Sequence, residues 1–232
     1  GSEMCIRDRV VLGVMPVLLL ILFVWKKMYQ TPIVGTVFII LIFLCNLAYA
    51  FLARWYAVLH SGVKGERRLF RTVKKLHGTN IVFHNLPVRY KRGRSELDML
   101  IVCHAGVLII EVKNHSGTIS GSWRDDKWTQ RKHYRDGKVT ETMMDNPIKQ
   151  MRRQRDIVKS ILTAAGENVW IDSVLYFSSP NAKLKISLRE SDYVCCESAE
   201  LLEFLKSYDS GETLSKSRME HIAQILRESS GV

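Results

Sequence analysis

Glu96, Asp98, Glu111 and Lys113 are the residues whose types and spacing most suggest chemistry. They lie in two runs rich in Leu, Ile and Val, residues 96–103 and 107–113, which read as strands joined through His104-Ala105-Gly106. With a two-residue turn at His104-Ala105, Asp98 faces Glu111, Leu100 faces Ile109, Val102 faces Val107 and Glu96 faces Lys113. Side chains alternate along a strand, so all four charged residues share one end of one face. The other face carries Leu97, Met99, Ile101, Cys103, Leu108, Ile110 and Val112 and is apolar throughout. A three-residue turn would shift this register by one, and the residues leave that alternative open.

Strands apolar on both faces are buried on both faces. Carboxylates there are costly unless they are paired or bind a cation. Opposed residues have Cβ atoms roughly 4.5–5.5 Å apart. Two carboxylates at that separation can share a magnesium ion (Mg2+), and a neighbouring lysine can orient or help deprotonate a water whose pKa the ion lowers. The other reading is a buried ion pair of Lys113 with Glu96 or Glu111. The hairpin alone supports both equally.

Around the hairpin, residues 65–76 have the apolar spacing of an amphipathic helix, and residues 80–86 read as a strand. Residues 87–95 read as a basic loop with Arg89, Lys91, Arg92 and Arg94. Residues 114–145, polar and rich in Gly and Trp, suggest an irregular insert or minor hairpins. A helix is expected over residues 147–165, capped by Asn146 and opened by Pro147. Another strand follows at 169–177, and closing helices at 199–208 and 215–228. The order is that of one mixed α/β domain.

The chain has 232 residues, 47% of them hydrophobic, and a net charge of +11. It is long enough to bury a core without a disulfide or metal staple. Residues 1–53 contain only four basic and two acidic residues, so +9 of the charge belongs to the remainder. Residues 10–25 and 33–53 are uncharged and dominated by Leu, Val and Ile. The second run would be roughly 31 Å long as a helix, enough to cross a bilayer; the first, at about 24 Å, is short. The expected organisation is a non-native leader (1–9), a transmembrane helical hairpin (10–53), a linker (54–62), one mixed α/β domain (63–208) and a C-terminal helix (209–232). Basic residues after the second span place both termini in the cytoplasm. The five cysteines form no CxxC pair or zinc-spaced cluster, and Cys195-Cys196 reads as strand packing.

Asp98 followed after twelve residues by Glu111-Val112-Lys113 resembles the core of PD-(D/E)XK nucleases. More specifically, the chain is similar to the nuclease-related domain, or NERD, family. Gly65-Glu66, Glu96-Leu97-Asp98, Gly106-Val107, Ile110 to Asn114, Gly117, Gly121, Trp128 and Asn146-Pro147 with Gln150 carry the resemblance over roughly residues 63–180. Leu97 stands where the first motif usually has proline. The resemblance implies a restriction-endonuclease-like αβββαβ core with a mixed sheet, here preceded by two transmembrane helices. It implies Asp98 and Glu111 as metal ligands, Lys113 as the catalytic lysine, Glu66 as a helix carboxylate that binds or positions the metal, and Gln150 as a glutamine near the active site. The cofactor would be Mg2+ or manganese (Mn2+).

A basic surface suits a polyanion. Arg92, Arg94, Lys149, Arg152, Arg153 and Trp128 are the expected contacts to nucleic acid, DNA before RNA, with basic groups on the backbone and aromatics on the bases. Attraction to anionic lipid accounts for basic residues just after Ala53. The function expected is a membrane-anchored, metal-dependent nuclease on the cytoplasmic face. The alternative is a noncatalytic nucleic-acid-binding or membrane scaffold module on the same fold.

Overall fold

The computed structural model describes residues 32–76, 78–134 and 136–230. The chain divides into two compact units, residues 1–58 and 59–232. The described part of the first is the start of helix α1 (Pro32–Val73). Its segment Gly35–Ala53 has a mean hydropathy of 2.4, with none of its hydrophobic window buried, and is long and apolar enough to cross a membrane. A signal sequence has the same properties. Among the described residues there is one such helix, not two; the expected first span at residues 10–25 lies outside them. The expected linker at 54–62 is helical, part of α1; it contains no proline, and Gly62 is its residue of lowest helix propensity.

In the second unit a five-stranded sheet forms the centre, in the order β1 (Ile81–Tyr90), β2 (Gly93–Cys103), β3 (Gly106–Lys113), β7 (Ile171–Phe177) and β9 (Tyr193–Cys195). The first three strands are antiparallel; β3, β7 and β9 run parallel. Helix α2 (Pro147–Ala164) and helix α4 (Lys216–Ser230) cover one face, burying Val158, Ile161, Ile222 and Leu226 against Leu100, Val102, Val107 and Ile109. The last turns of α1 and helix α3 (Ser198–Ser207) cover the other, with Leu69, Val73 and Leu201 against Met99, Ile101, Leu108 and Ile110. Parallel strands need cover on both faces, which explains the near-continuous apolar runs of β3 and β7. Within residues 209–232 the helix is α4, which is built into this core.

The insert at 114–145 is not irregular but takes the other expected form, antiparallel hairpins. It supplies β4 (Gly117–Ser122), β5 (Lys127–His133) and β6 (Val139–Asp145) of a second sheet, ordered β6-β5-β4-β8, completed by the parallel strand β8 (Ala182–Ser187). These strands bury few side chains, chiefly Ile119, Trp128 and Gln130, so their apolar periodicity is weak. The expected basic loop at 87–95 is also mostly strand: β1 and β2 pair out to Tyr90 and Gly93 across a turn at Lys91-Arg92.

Two contacts set the position of the elements that matter for the site. A Cβ on Gly65 would lie 2.9 Å from Ser178 Oγ and 3.0 Å from Val112 Cγ1, so glycine lets α1 approach the end of β3. At the start of α2, Asn146 Oδ1 accepts from Ile148 N (2.9 Å), while Nδ2 donates to the carbonyls of Asp125 (2.7 Å) and Ser122 (3.1 Å). Asn146→Ala removes the cap and takes a donor from the carbonyls of Asp125 and Ser122. It is expected to cost about 2 kcal/mol, measured as a lowered midpoint in urea.

Candidate active site

The two-residue turn holds: Leu100 pairs with Ile109, Val102 with Val107 and Cys103 with Gly106. Gly106 makes the turn possible with φ of 126°. The β2–β3 ladder ends at Met99 and Ile110, one step before Asp98 and Glu111. Beyond it, Asp98 Oδ2 accepts the backbone N–H of Val112 at 2.7 Å. The expected strict alternation fails just here. Leu97 joins the same core as Leu100, not the face of Met99. On β1, Asn85 lies between residues paired with Leu97 and Met99 and adopts a positive φ of 48°, a local distortion that accompanies the switch.

A cleft of about 910 Å³ opens at this end of the sheet. Glu66, Asp98, Glu111, Lys113 and Gln150 all line it, brought from α1, β2, β3 and α2. Glu111 is 2% exposed and held at both oxygens. Its Oε1 accepts from Lys113 Nζ (2.7 Å) and Gln150 Nε2 (2.7 Å), and its Oε2 from Gln154 Nε2 (2.7 Å). Lys113 Nζ also donates to Gln150 Oε1 at 3.0 Å, closing a triangle of Lys113, Glu111 and Gln150. Thus the ion pair of Lys113 is with Glu111, and Glu96 is exposed. Glu66 accepts from Asn85 Nδ2 at 3.4 Å.

Asp98 has no cationic partner within ion-pair distance among the described residues. Burial, with the nearby negative charge of Glu111, raises its pKa to about 7. The Val112 N–H and Lys113 oppose the rise, and Glu66 adds to it. The site therefore has three acidic groups near one another and a single lysine, already engaged by one of them. Among the described residues no group of three His, Cys, Asp or Glu is close enough to form a preset metal cage.

Gln154 went unnoticed in the sequence. It is fully buried, and its Nε2 also reaches the carbonyl of Glu96 at 3.1 Å. The available signal was its spacing, one helical turn after Gln150, which puts both amides on one face of α2.

Of the expected nucleic-acid contacts, Arg94 and Arg153 line the cleft, as does Arg89. Arg92 sits at the exposed β1–β2 turn. Lys149 pairs with Asp126 (2.5 Å), and Arg152 with Asp192 (2.6 Å). Trp128 cannot stack on a base. It is fully buried, its Nε1 donates to the Ser122 carbonyl at 2.9 Å, and its ring occupies the space that a Cβ on Gly121 would need.

A mixed sheet with two carboxylates and a lysine at the ends of its central strands is consistent with a nuclease-like α/β fold. The chain belongs to the nuclease-related domain family, whose family model matches residues 61–178. It is also similar to an uncharacterized protein of Bacillus anthracis, 34% identical over 71 residues. That stretch covers 30% of this chain and 34% of the relative, so the chain spans about a third of the length of that relative. No solved structure matches.

Proposed function

We propose that the protein is a metal-dependent phosphodiesterase acting on nucleic acid, DNA before RNA, tethered to the cytoplasmic face of a membrane by its apolar N-terminal segment. The convergence of Glu66, Asp98, Glu111, Lys113 and Gln150 on one cleft carries this reading. The donor set suits Mg2+ or Mn2+. Such ions take one or two carboxylates and leave their other positions to water and substrate phosphate. Asp98 and Glu111 would be the ligands, with Glu66 nearby, and the cation would supply the positive charge that Asp98 lacks. When bound, it supplies Lewis acidity and neutralises charge on the phosphoryl group.

The chain's own groups do the rest. Gln150 and Gln154 hold Glu111 in one orientation. Lys113 Nζ, fixed between Glu111 and Gln150, is placed to orient the attacking water and to stabilise charge developing on the phosphate. Arg94 and Arg153 offer the cleft wall to backbone phosphates. The test is cleavage of linear, circular and single-stranded DNA and RNA by the purified protein with Mg2+, Mn2+ or EDTA. Metal-dependent cleavage, lost with Asp98→Ala, is the expected result; cleavage unchanged in Asp98→Ala and Lys113→Ala overturns the reading.

One observation favours the noncatalytic alternative: both oxygens of Glu111 are already satisfied by protein donors. Mn2+ titration separates the two, because a scaffold shows no metal-dependent rise in melting temperature. For a nucleic-acid-binding chain, catalytic or not, Arg94→Ala with Arg153→Ala should weaken oligonucleotide binding about ten-fold and lower the slope of log K against log salt by about 1.4, the share of two single-strand phosphate contacts.

A further inference from the structure

Away from the catalytic groups, three guanidinium groups converge on one indole. Arg189, Arg152 and Arg124 lie 3.7, 5.5 and 4.8 Å from the ring centre of Trp123. They come from three parts of the chain: the segment after β8, helix α2, and the β4–β5 turn. One carboxylate answers them. Asp192 takes Arg152 through both oxygens, at 2.8 and 2.6 Å. Arg124 and Arg189 are exposed, and among the described residues neither side chain has a hydrogen-bonding or ionic acceptor.

An indole face holds guanidinium groups by cation–π attraction and leaves their N–H edges free. Like charges gathered this closely repel one another, and an anion between them reverses the sign of that interaction. Planar N–H forks match phosphate oxygens, which makes arginine rather than lysine the fitting residue. Location favours a nucleic-acid strand as the source of the phosphate. Arg152 is adjacent to Arg153 of the cleft wall, and the carbonyl of Trp123 lies 3.4 Å from Nδ2 of Asn146, the cap of the helix that carries Gln150.

We propose that the Trp123 cluster is a phosphate-binding subsite that holds the flank of a strand engaged in the cleft. This rests on the reading of the cleft as a nuclease site, and it changes the expected aromatic contact from Trp128 to Trp123. Here the ring organises arginines and does not stack on bases.

The test is the full chain carrying Arg124→Ala and Arg189→Ala, with EDTA present to prevent cleavage, titrated with labelled single strands from about 4 to about 16 nucleotides. Binding of the longest strand is expected to fall about ten-fold and its log K–log salt slope by about 1.4, for two lost phosphate contacts. The shortest, which fills the cleft alone, should bind unchanged, and the melting temperature should match wild type. No loss at any length overturns the proposal and leaves the cluster a staple between loops. A loss confined to phosphatidylserine vesicles also overturns it, in favour of lipid. The nuclease reading is tested separately by cleavage in Asp98→Ala. If that variant cleaves like wild type while the arginine variant still loses length-dependent binding, the subsite stands and the catalytic reading falls. A wild-type chain that binds no strand overturns the subsite and leaves the nuclease reading to the cleavage assay with metal.

Discussion

Asp98→Asn is expected to abolish cleavage, by about 10³-fold or more, and at the same time to make the metal-free protein more stable at pH 8. The first effect follows from losing a carboxylate that would ligate the metal. The second follows from the pKa. Burial and Glu111 raise Asp98 from 3.8 to about 7, so the folded protein holds this proton more tightly than the unfolded chain. The associated stability is fully present below about pH 4 and is lost as pH rises through about 7. At pH 8 the folded state therefore bears the whole cost of ionising Asp98, and asparagine removes it. Three pH units correspond to a ceiling of about 4 kcal/mol, and partial exposure of the group reduces the expectation to about 2 kcal/mol. For a domain of this size that is roughly 4–8 °C in Tm. Asparagine can still accept the Val112 N–H, so the fold need not rearrange. Thermal melts at pH 4 and pH 8 in EDTA check this. The gain should be absent at pH 4, and Mg2+ or Mn2+ should narrow it at pH 8 by stabilising the wild type. Equal melting temperatures at both pH values would show that Asp98 is not destabilised by its surroundings.

Lys113→Ala is expected to reduce cleavage by about 10²–10³-fold, the scale of removing one preorganised charge from a transition state. Its effect on stability has the opposite sign. Glu111 is buried and Lys113 is its only ion-pair partner among the described residues, so the variant leaves a buried carboxylate supported by two amides alone. Breaking such a pair costs about 3 kcal/mol. Adding Glu111→Gln should return most of that stability and none of the activity. Rescue of stability in the double variant separates the two contributions: Lys113 holds the fold through Glu111 and serves the chemistry through its own ammonium. A double variant no more stable than Lys113→Ala would mean that the pair is not the source of the loss.

Opposite signs in the two variants would distinguish a functional site from a structural ion pair. A buried ion pair such as Lys113–Glu111 is common in structural roles. A second acid beside it, left without a cation and raised to about 7, is not an arrangement that folding favours. Asp98 is affordable there if a cation completes it in use, which is the pattern of perturbed groups at functional sites.

Much of the site could be read from local pattern. The two-residue turn set the register that carries Asp98 and Glu111 to the same end of the hairpin, although the ladder itself stops one step short of them, because register in a tight hairpin depends on few residues. Asn146-Pro147 announced α2 and therefore the face that carries Gln150. The alternation rule misplaced Leu97, because a positive φ at Asn85 on the neighbouring strand accompanies a change of face that no periodicity in β2 records. Residues 114–145 hid a second sheet, since its strands each bury few side chains and one of its partners, β8, comes from residues 182–187.

The residues of the hairpin and the helix cap specify which carboxylates and which lysine share one end of the sheet; these are short-range consequences of chirality, side-chain alternation and turn chemistry. Folding in three dimensions settled which partner Lys113 takes, that Gln154 completes the hold on Glu111, and that Trp128 goes inward while Trp123 gathers arginines. Each of those outcomes depends on elements far apart in the chain meeting at close-packed surfaces. There the space beside Gly121, the approach of α1 at Gly65 and the reach of α2 over β3 select among contacts that are equal in the linear pattern.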